Sequence, residues 1–199
     1  VKDGVIGRPL SLRVVSPTGG WGAVSPPNYA YLQDKANGAT LSTIAGGHTL
    51  AVIEAIIGRF HEVSARASIL REEMTLMGSN EVVKRTCADH LLTFGKHESG
   101  CISSLEVVGG VVDVPFQFEL RGTHGALSIN GGHPGGYQVG PLTVTTTPES
   151  AAQPLATVSN VVQPSINVAE VWARFANDIR SGERTVPDFD RAVRLTRLL

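Results

Sequence analysis

The sequence predicts an α+β fold: an open, predominantly antiparallel β-sheet with helices packed on one face. Three observations carry this expectation. A strand-like segment and an apolar helical segment come first, several alternating strand-like segments follow, and two helical segments close the chain. Neighbouring strand-like segments are joined by short Gly-containing turns, the connection that antiparallel pairs use. The 199 residues are 42% hydrophobic and only 18% charged, enough to bury a sizeable core and too apolar for disorder.

Leu10 to Val15 reads as the first strand. Residues 16–38 form a long Gly/Pro-rich loop, and Trp21, Tyr29 and Tyr31 give it more aromatics than a plain linker carries. A helix is expected from Gly47 to Ile57, apolar nearly all round with Glu54 its one charge, and capped by Gly58. Phe60 to Arg71 alternates as a strand. Leu91 to Phe94 and Cys101 to Val108 flank the turn His97-Glu98-Ser99-Gly100. Phe116, Phe118 and Leu120 alternate with Gln117, Glu119 and Arg121. Gly122-Thr123-His124-Gly125 turns the chain back into Ala126–Ile129, and the β-branched run Leu142–Thr147 is one more strand. Asn167 with Glu170 resembles a capping box, ahead of one apolar helical face formed by Val168, Val171, Trp172, Phe175, Ala176 and Ile179. Gly182 ends that helix. A last helix runs from near Pro187 to Leu199, with Arg191, Arg194 and Arg197 along one side.

A formal net charge of -1 does not favour nucleic acid or an anionic membrane as a partner. No apolar run approaches the roughly 20 residues of a membrane span, and no signal peptide is visible, so a cytoplasmic location is expected. Cys87 and Cys101 have no metal or redox spacing; free thiols in a reducing compartment are expected, with a single disulfide as the alternative. The remaining histidines, His61, His90, His97, His124 and His133, show no zinc spacing, and no metal site is expected. Nothing in the spacing sets a serine or Cys87 beside a histidine as a nucleophile. Val1-Lys2-Asp3-Gly4 is not an initiator sequence and reads like the middle of a longer protein.

The candidate site centres on His48. It follows a small-residue run and opens the predicted helix, where unpaired N–H groups and a partial positive charge gather. Gly46 and Gly47 leave room for a ligand. An imidazole there suits proton exchange near neutral pH; the alternative role is a backbone-bonded helix cap. Trp21, Tyr29 and Tyr31 either line a sugar pocket, their rings packing on C–H faces, or pin the loop to the core. Asp34 either bonds a substrate hydroxyl or is a solvated loop carboxylate. Gly131-Gly132-His133-Pro134-Gly135-Gly136 is glycine-rich enough for phosphate, but it has no lysine and no following helix, and reads as a hairpin loop. The arginine stripe reads as a solvated face, and Trp172 and Phe175 as core packing.

Gly38-x-x-Leu41-x4-Gly46-Gly47-His48-Thr49-Leu50, followed by Gly58-x-Phe60, resembles the start of the C-terminal domain of the Gfo/Idh/MocA (glucose–fructose oxidoreductase / inositol dehydrogenase) oxidoreductases. Phe116-x-Phe118-x-Leu120-x-Gly122-Thr123-x-Gly125-x-Leu127-x-Ile129 resembles a turn near the far edge of that family's sheet. Asn167-Val-Ala-x-Val-Trp172-x-x-Phe175-Ala-x-Asp178 and Pro187-Asp-Phe189-Asp-x-Ala192-Val193 resemble its closing helices. Together these motifs cover nearly the whole chain.

The resemblance implies the fold of a dihydrodipicolinate reductase-like C-terminal domain. Residues 1–199 would be a single substrate-binding and oligomerisation domain, and the N-terminal Rossmann domain would be absent from this chain. NAD or NADP would be bound mainly by that missing half, since neither Gly-x-Gly-x-x-Gly nor a Glu-Lys-Pro motif occurs here. A homodimer or homotetramer would form through the open sheet face. Within an NAD(P)-dependent oxidoreductase acting on a sugar, polyol or related secondary alcohol, His48 would be catalytic, with Trp21, Tyr29, Tyr31 and Thr49 binding the carbohydrate-like substrate. One departure stands out. The family often has Asp four residues before and three residues after the histidine, where this chain has Ile44 and Ala51. That version is closer to the branch containing a galactose-regulon repressor, and implies the alternative of a non-catalytic sugar- or cofactor-sensing protein.

Overall fold

The computed structural model describes residues 4–110, 114–133, 135–148 and 165–199. Its elements run in the order β1 (Pro9–Thr18), β2 (Val24–Ser25), α1 (Gly47–Ile57), β3 (Phe60–Ser68), β4 (Glu73–Leu76), β5 (Val82–Lys84), β6 (His90–His97), β7 (Ile102–Gly109), β8 (Phe116–Gly122), β9 (Ala126–Gly131), β10 (Leu142–Thr147), α2 (Ile166–Ser181) and α3 (Phe189–Leu198). Seven strands form the main sheet in the order β10-β9-β8-β1-β7-β6-β3. β1 lies at its centre, parallel to β7 and antiparallel to β8, and the other described ladders of this sheet are antiparallel. The α+β architecture read from the sequence is the one observed.

Period-two alternation sorts the two faces. Register sets Val14 opposite Leu105 and Phe118, and Leu12 opposite Leu120. These side chains are buried together with Val107 and Phe116, and Leu50, Ile53 and Ile57 of α1 join the same core. α3 adds Leu195 and Leu198 at its edge. The opposite face stays open: Phe94 is 65% and Ile102 58% exposed, beside Arg13, Glu119 and Arg121.

A small second sheet, β2-β4-β5, was not anticipated. Its strands are two to four residues long, too short for an alternation to register in sequence. It stands beside the 16–38 loop, which is shaped by short 3-10 turns at Gly19–Trp21, Pro27–Gln33 and Lys35–Asn37.

Several expectations are corrected. Trp172 and Phe175 are 65% and 44% exposed and meet each other edge-on rather than the core. Helical periodicity makes α2 amphipathic, but it does not say what the apolar stripe faces. Asn167 is not the cap of α2, because the helix already includes Ile166, and the Asn167 amide donates to the Gln138 carbonyl at 2.8 Å. The arginine stripe is not uniformly solvated: the Arg191 guanidinium donates to the Ala51 carbonyl at 2.7 Å, holding α3 against α1. A serine does meet a histidine. His97 lies with Nδ1 2.8 Å from the Gly58 carbonyl, which can only accept, so Nε2 accepts from the Ser103 hydroxyl at 2.8 Å. With the ring 1% exposed, this pair ties the end of α1 to β6 and β7 and presents no nucleophile.

Candidate ligand site at the His48 cleft

The start of α1 and the β9–β10 connection converge on the carboxyl end of the central strand β1. They enclose a cavity of about 450 Å³. Ser16, Pro17 and Thr18 enter it from β1, and Trp21, Tyr29 and Tyr31 from the long loop. Ile44 and His48 come from the α1 side, Met77 from the end of β4, and Gly135, Gly136, Tyr137 and Gln138 from the β9–β10 connection. Four of the five residues singled out in the sequence therefore line one space. The fifth, Thr49, is buried behind it: its hydroxyl donates to the Ala45 carbonyl at 2.8 Å and lies 3.2 Å from Ser16 Oγ.

The approach to His48 differs from the sequence expectation. Ser42–Gly46 form a π-turn that runs directly into α1, and Gly46 and Gly47 are already right-handed helical. The Gly46 N–H donates to the Leu41 carbonyl at 2.8 Å. His48 therefore sits more than a turn inside the helical backbone, where preceding N–H groups are already paired, and not at the positive tip. Its side chain is exposed to the cavity.

The aromatic residues divide by role. Trp21 is 3% exposed, and its indole N–H donates to the Leu32 carbonyl at 3.1 Å, so it is both loop anchor and wall. Tyr29 and Tyr31 are 41% and 51% exposed. Asp34 is not among the lining residues. Its carboxylate accepts from the Ala36 N–H and the Thr86 hydroxyl, which hold it below the usual carboxylate range.

Tyr137 was not foreseen. Its ring stacks on Phe116 with centroids 4.5 Å apart, and its hydroxyl donates to the His48 carbonyl at 3.3 Å. Burial pushes its phenol up to about 12, with a Thr49 hydrogen bond acting the other way, so it is a neutral donor at ordinary pH. A neighbouring space of about 720 Å³, lined by Phe116, Gly132 and His133, shares Pro17, Thr18, Gly19, Val24 and Tyr137 with the first. Tyr137 is therefore a common wall of both. The only hint in sequence is a lone tyrosine within a glycine-rich loop.

The lining has one chemical peculiarity. Among the described residues that form it there is no Asp, Glu, Lys, Arg or Cys, and Ile44 stands on the His48 side. Ala51 lies outside the lining, its carbonyl taken by Arg191. No group of three His, Cys, Asp or Glu among the described residues converges for a metal. The Cys87 and Cys101 thiols are free and buried, and burial pushes both up, which makes them unreactive. Aromatic faces, hydroxyls and backbone groups suit this space to an uncharged ring or sugar. Beside His48 the lining offers only tyrosine hydroxyls as further proton-exchanging side chains, and no carboxylate or lysine to complete a relay.

Comparison with known proteins fits this architecture. The Gal80p C-terminal domain family matches residues 1–131. The galactose/lactose metabolism regulatory protein GAL80 of Kluyveromyces lactis is 31% identical over 144 residues, 66% of this chain and 31% of that protein. A super-repressor mutant of Gal80p from Saccharomyces cerevisiae superposes with a TM-score of 0.82 at 21% identity, over 99% of this chain and 55% of that one. Levoglucosan dehydrogenase in complex with NADH and L-sorbose superposes with a TM-score of 0.68 at 18% identity, over 94% of this chain and 54% of that one. The solved structures, at these identities, share the fold. The chain spans about a third of the curated relative and about half of each solved one.

Proposed function

Because this chain belongs to the Gal80p C-terminal domain family, we propose that it is the ligand-recognising and subunit-pairing domain of a non-catalytic regulatory protein on an oxidoreductase scaffold. The observation that carries this reading is the uncharged lining around His48, with Ile44 in place of a carboxylate. Such a cavity binds without turning over. A nicotinamide cofactor, NAD or NADP, is held mainly by a nucleotide-binding domain outside this chain, and the His48 cavity receives its reactive end or a carbohydrate. The NADH and L-sorbose of the levoglucosan dehydrogenase complex support that pairing of ligands. The unpaired thiols support a reducing, cytoplasmic setting. Among the described residues no helix is long and apolar enough to cross a membrane.

A second copy of the chain covers the open sheet face. The exposure of Leu92, Phe94 and Ile102 on one face supports this, since monomers rarely leave such a patch wet. Phe94→Glu with Ile102→Glu is expected to give a monomer by light scattering; an unchanged assembly sends the interface elsewhere.

The decisive experiment incubates the full-length protein with NAD or NADP and a panel of sugars and polyols. Binding without steady-state NAD(P)H formation is expected. Sustained NAD(P)H formation overturns the regulatory reading in favour of an NAD(P)-dependent oxidoreductase of a sugar or polyol. The exposed His48 in the cavity favours that second reading. In that event, unchanged turnover by His48→Ala would remove the imidazole from the chemistry.

A further inference from the structure

We propose that Arg85, which does not line the cavity, is the positioning residue that sets its aromatic wall. The inference rests on the His48 cavity being the ligand site. Arg85 follows β5 and is 3% exposed, so it is a full charge taken out of water. Its fork is used on three sides. Nη2 donates to the Gly22 carbonyl at 2.7 Å, Nε to the Gln33 side-chain oxygen at 2.8 Å, and Nη1 to Asp89 at 2.7 Å. Asp89 is fixed in turn by the Leu70 and Arg71 N–H groups at 2.7 and 3.0 Å.

Gly22 and Gln33 bracket most of the wall. Gln33 relays the hold, its amide donating to the Gly20 and Tyr29 carbonyls at 3.1 and 3.4 Å. Trp21 closes the ring of contacts through the Leu32 carbonyl. The backbone on either side of Trp21, and that at Tyr29, is thus referred to one planar guanidinium, which is itself referred to the strand ends by Asp89. The strand support of this wall is the two-residue β2, too short to define it. A lysine supplies one point of charge where the geometry needs separated, coplanar donors. A role in charge neutralisation alone would be served by Lys; a positioning role would not.

The test uses the full chain carrying Trp172→Phe, which leaves Trp21 as its one tryptophan. Acrylamide quenching then reads the exposure of the wall directly. Arg85→Met and Arg85→Lys are both expected to raise Trp21 quenching several-fold while far-UV circular dichroism is unchanged. A protected Trp21 in folded Arg85→Met, or full rescue by Lys, overturns the proposal. If Arg85→Met does not fold, Gln33→Leu decides. It keeps the Arg85–Asp89 pair and the Arg85–Gly22 bond and removes only the relay from Arg85 through Gln33 to the Gly20 and Tyr29 carbonyls. Raised quenching then supports the proposal and unchanged quenching refutes it, since the proposed hold on that backbone runs through Gln33. NADH titration of the unsubstituted full-length protein separates the two levels of the argument. No binding together with raised quenching in the variants sinks the ligand reading alone; binding together with unchanged quenching sinks the Arg85 assignment alone.

Discussion

Replacing Tyr137 by Phe removes one hydroxyl from the wall shared by the two cavities and leaves the ring stacked on Phe116. Burial pushes the phenol from 10 to about 12. At about 1.4 kcal/mol per tenfold change in ionisation, that difference is roughly 3 kcal/mol in favour of the neutral ring in the folded chain. The sign follows from linkage: the folded chain keeps this proton longer than the unfolded chain. The contribution is therefore whole below pH 10 and drains away as pH climbs toward 12. Two assays read it. Phenolate absorbance should show a late step near pH 12 that is absent from Tyr137→Phe. Denaturant midpoints should fall more steeply between about pH 10 and 12 in the parent than in the variant. An absorbance change complete before about pH 11, or a late step that survives the substitution, refutes the claim that the Tyr137 hydroxyl is shut away from water.

Three further outcomes follow from the fold. Phe118→Ala, at the centre of the sheet and 2% exposed, should cost about 3–5 kcal/mol in chemical denaturation. Trp172→Ser and Phe175→Ser should each change the stability of this chain by less than about 0.5 kcal/mol, because both rings are already exposed; a larger loss would mean that the stripe is covered. Burial of Asp178 would raise its carboxyl, but hydrogen bonds from the Val186 N–H, the Thr185 hydroxyl and the Thr185 N–H prevail and hold it below its ordinary 3.8. Asp178→Asn should therefore destabilise the α2–α3 connection above about pH 4. The difference from the parent should shrink as the native carboxylate is protonated at lower pH, as thermal melts across that range would show.

Much of the fold was legible because local rules and global packing agree. The α1 segment is apolar nearly all round, with Glu54 its one charge, and has a Gly58 stop, and its observed bounds, Gly47–Ile57, are those expected. The strand Leu142–Thr147 announces itself through β-branching. The site was partly legible. Trp21, Tyr29, Tyr31 and His48 were marked by aromatic excess and by the small residues around the histidine, and they share a cavity. Tyr137 and Arg85 were not, for different reasons. Tyr137 reaches the cavity from a connection whose glycines suggested only slack. Arg85 sits in the run Val82-Val83-Lys84-Arg85-Thr86, where sequence shows a charge and burial cannot be seen; its signal was the carboxylate of Asp89 four residues on. The π-turn before α1 was missed because small residues permit many backbone paths, and only packing selects one.

The place of β1 between β7 and β8 has a consequence for biogenesis. This strand is translated well before both of its neighbours, which lie beyond the intervening α1 and β2 to β6. Until they emerge from the ribosome it offers two bare edges, and no hairpin of its own can shield them. Closing so large a span before any ladder bond forms makes folding slow and leaves time for misassociation. Deleting this one segment would also split the sheet into two three-stranded pieces, β10-β9-β8 and β7-β6-β3, with no ladder to join them.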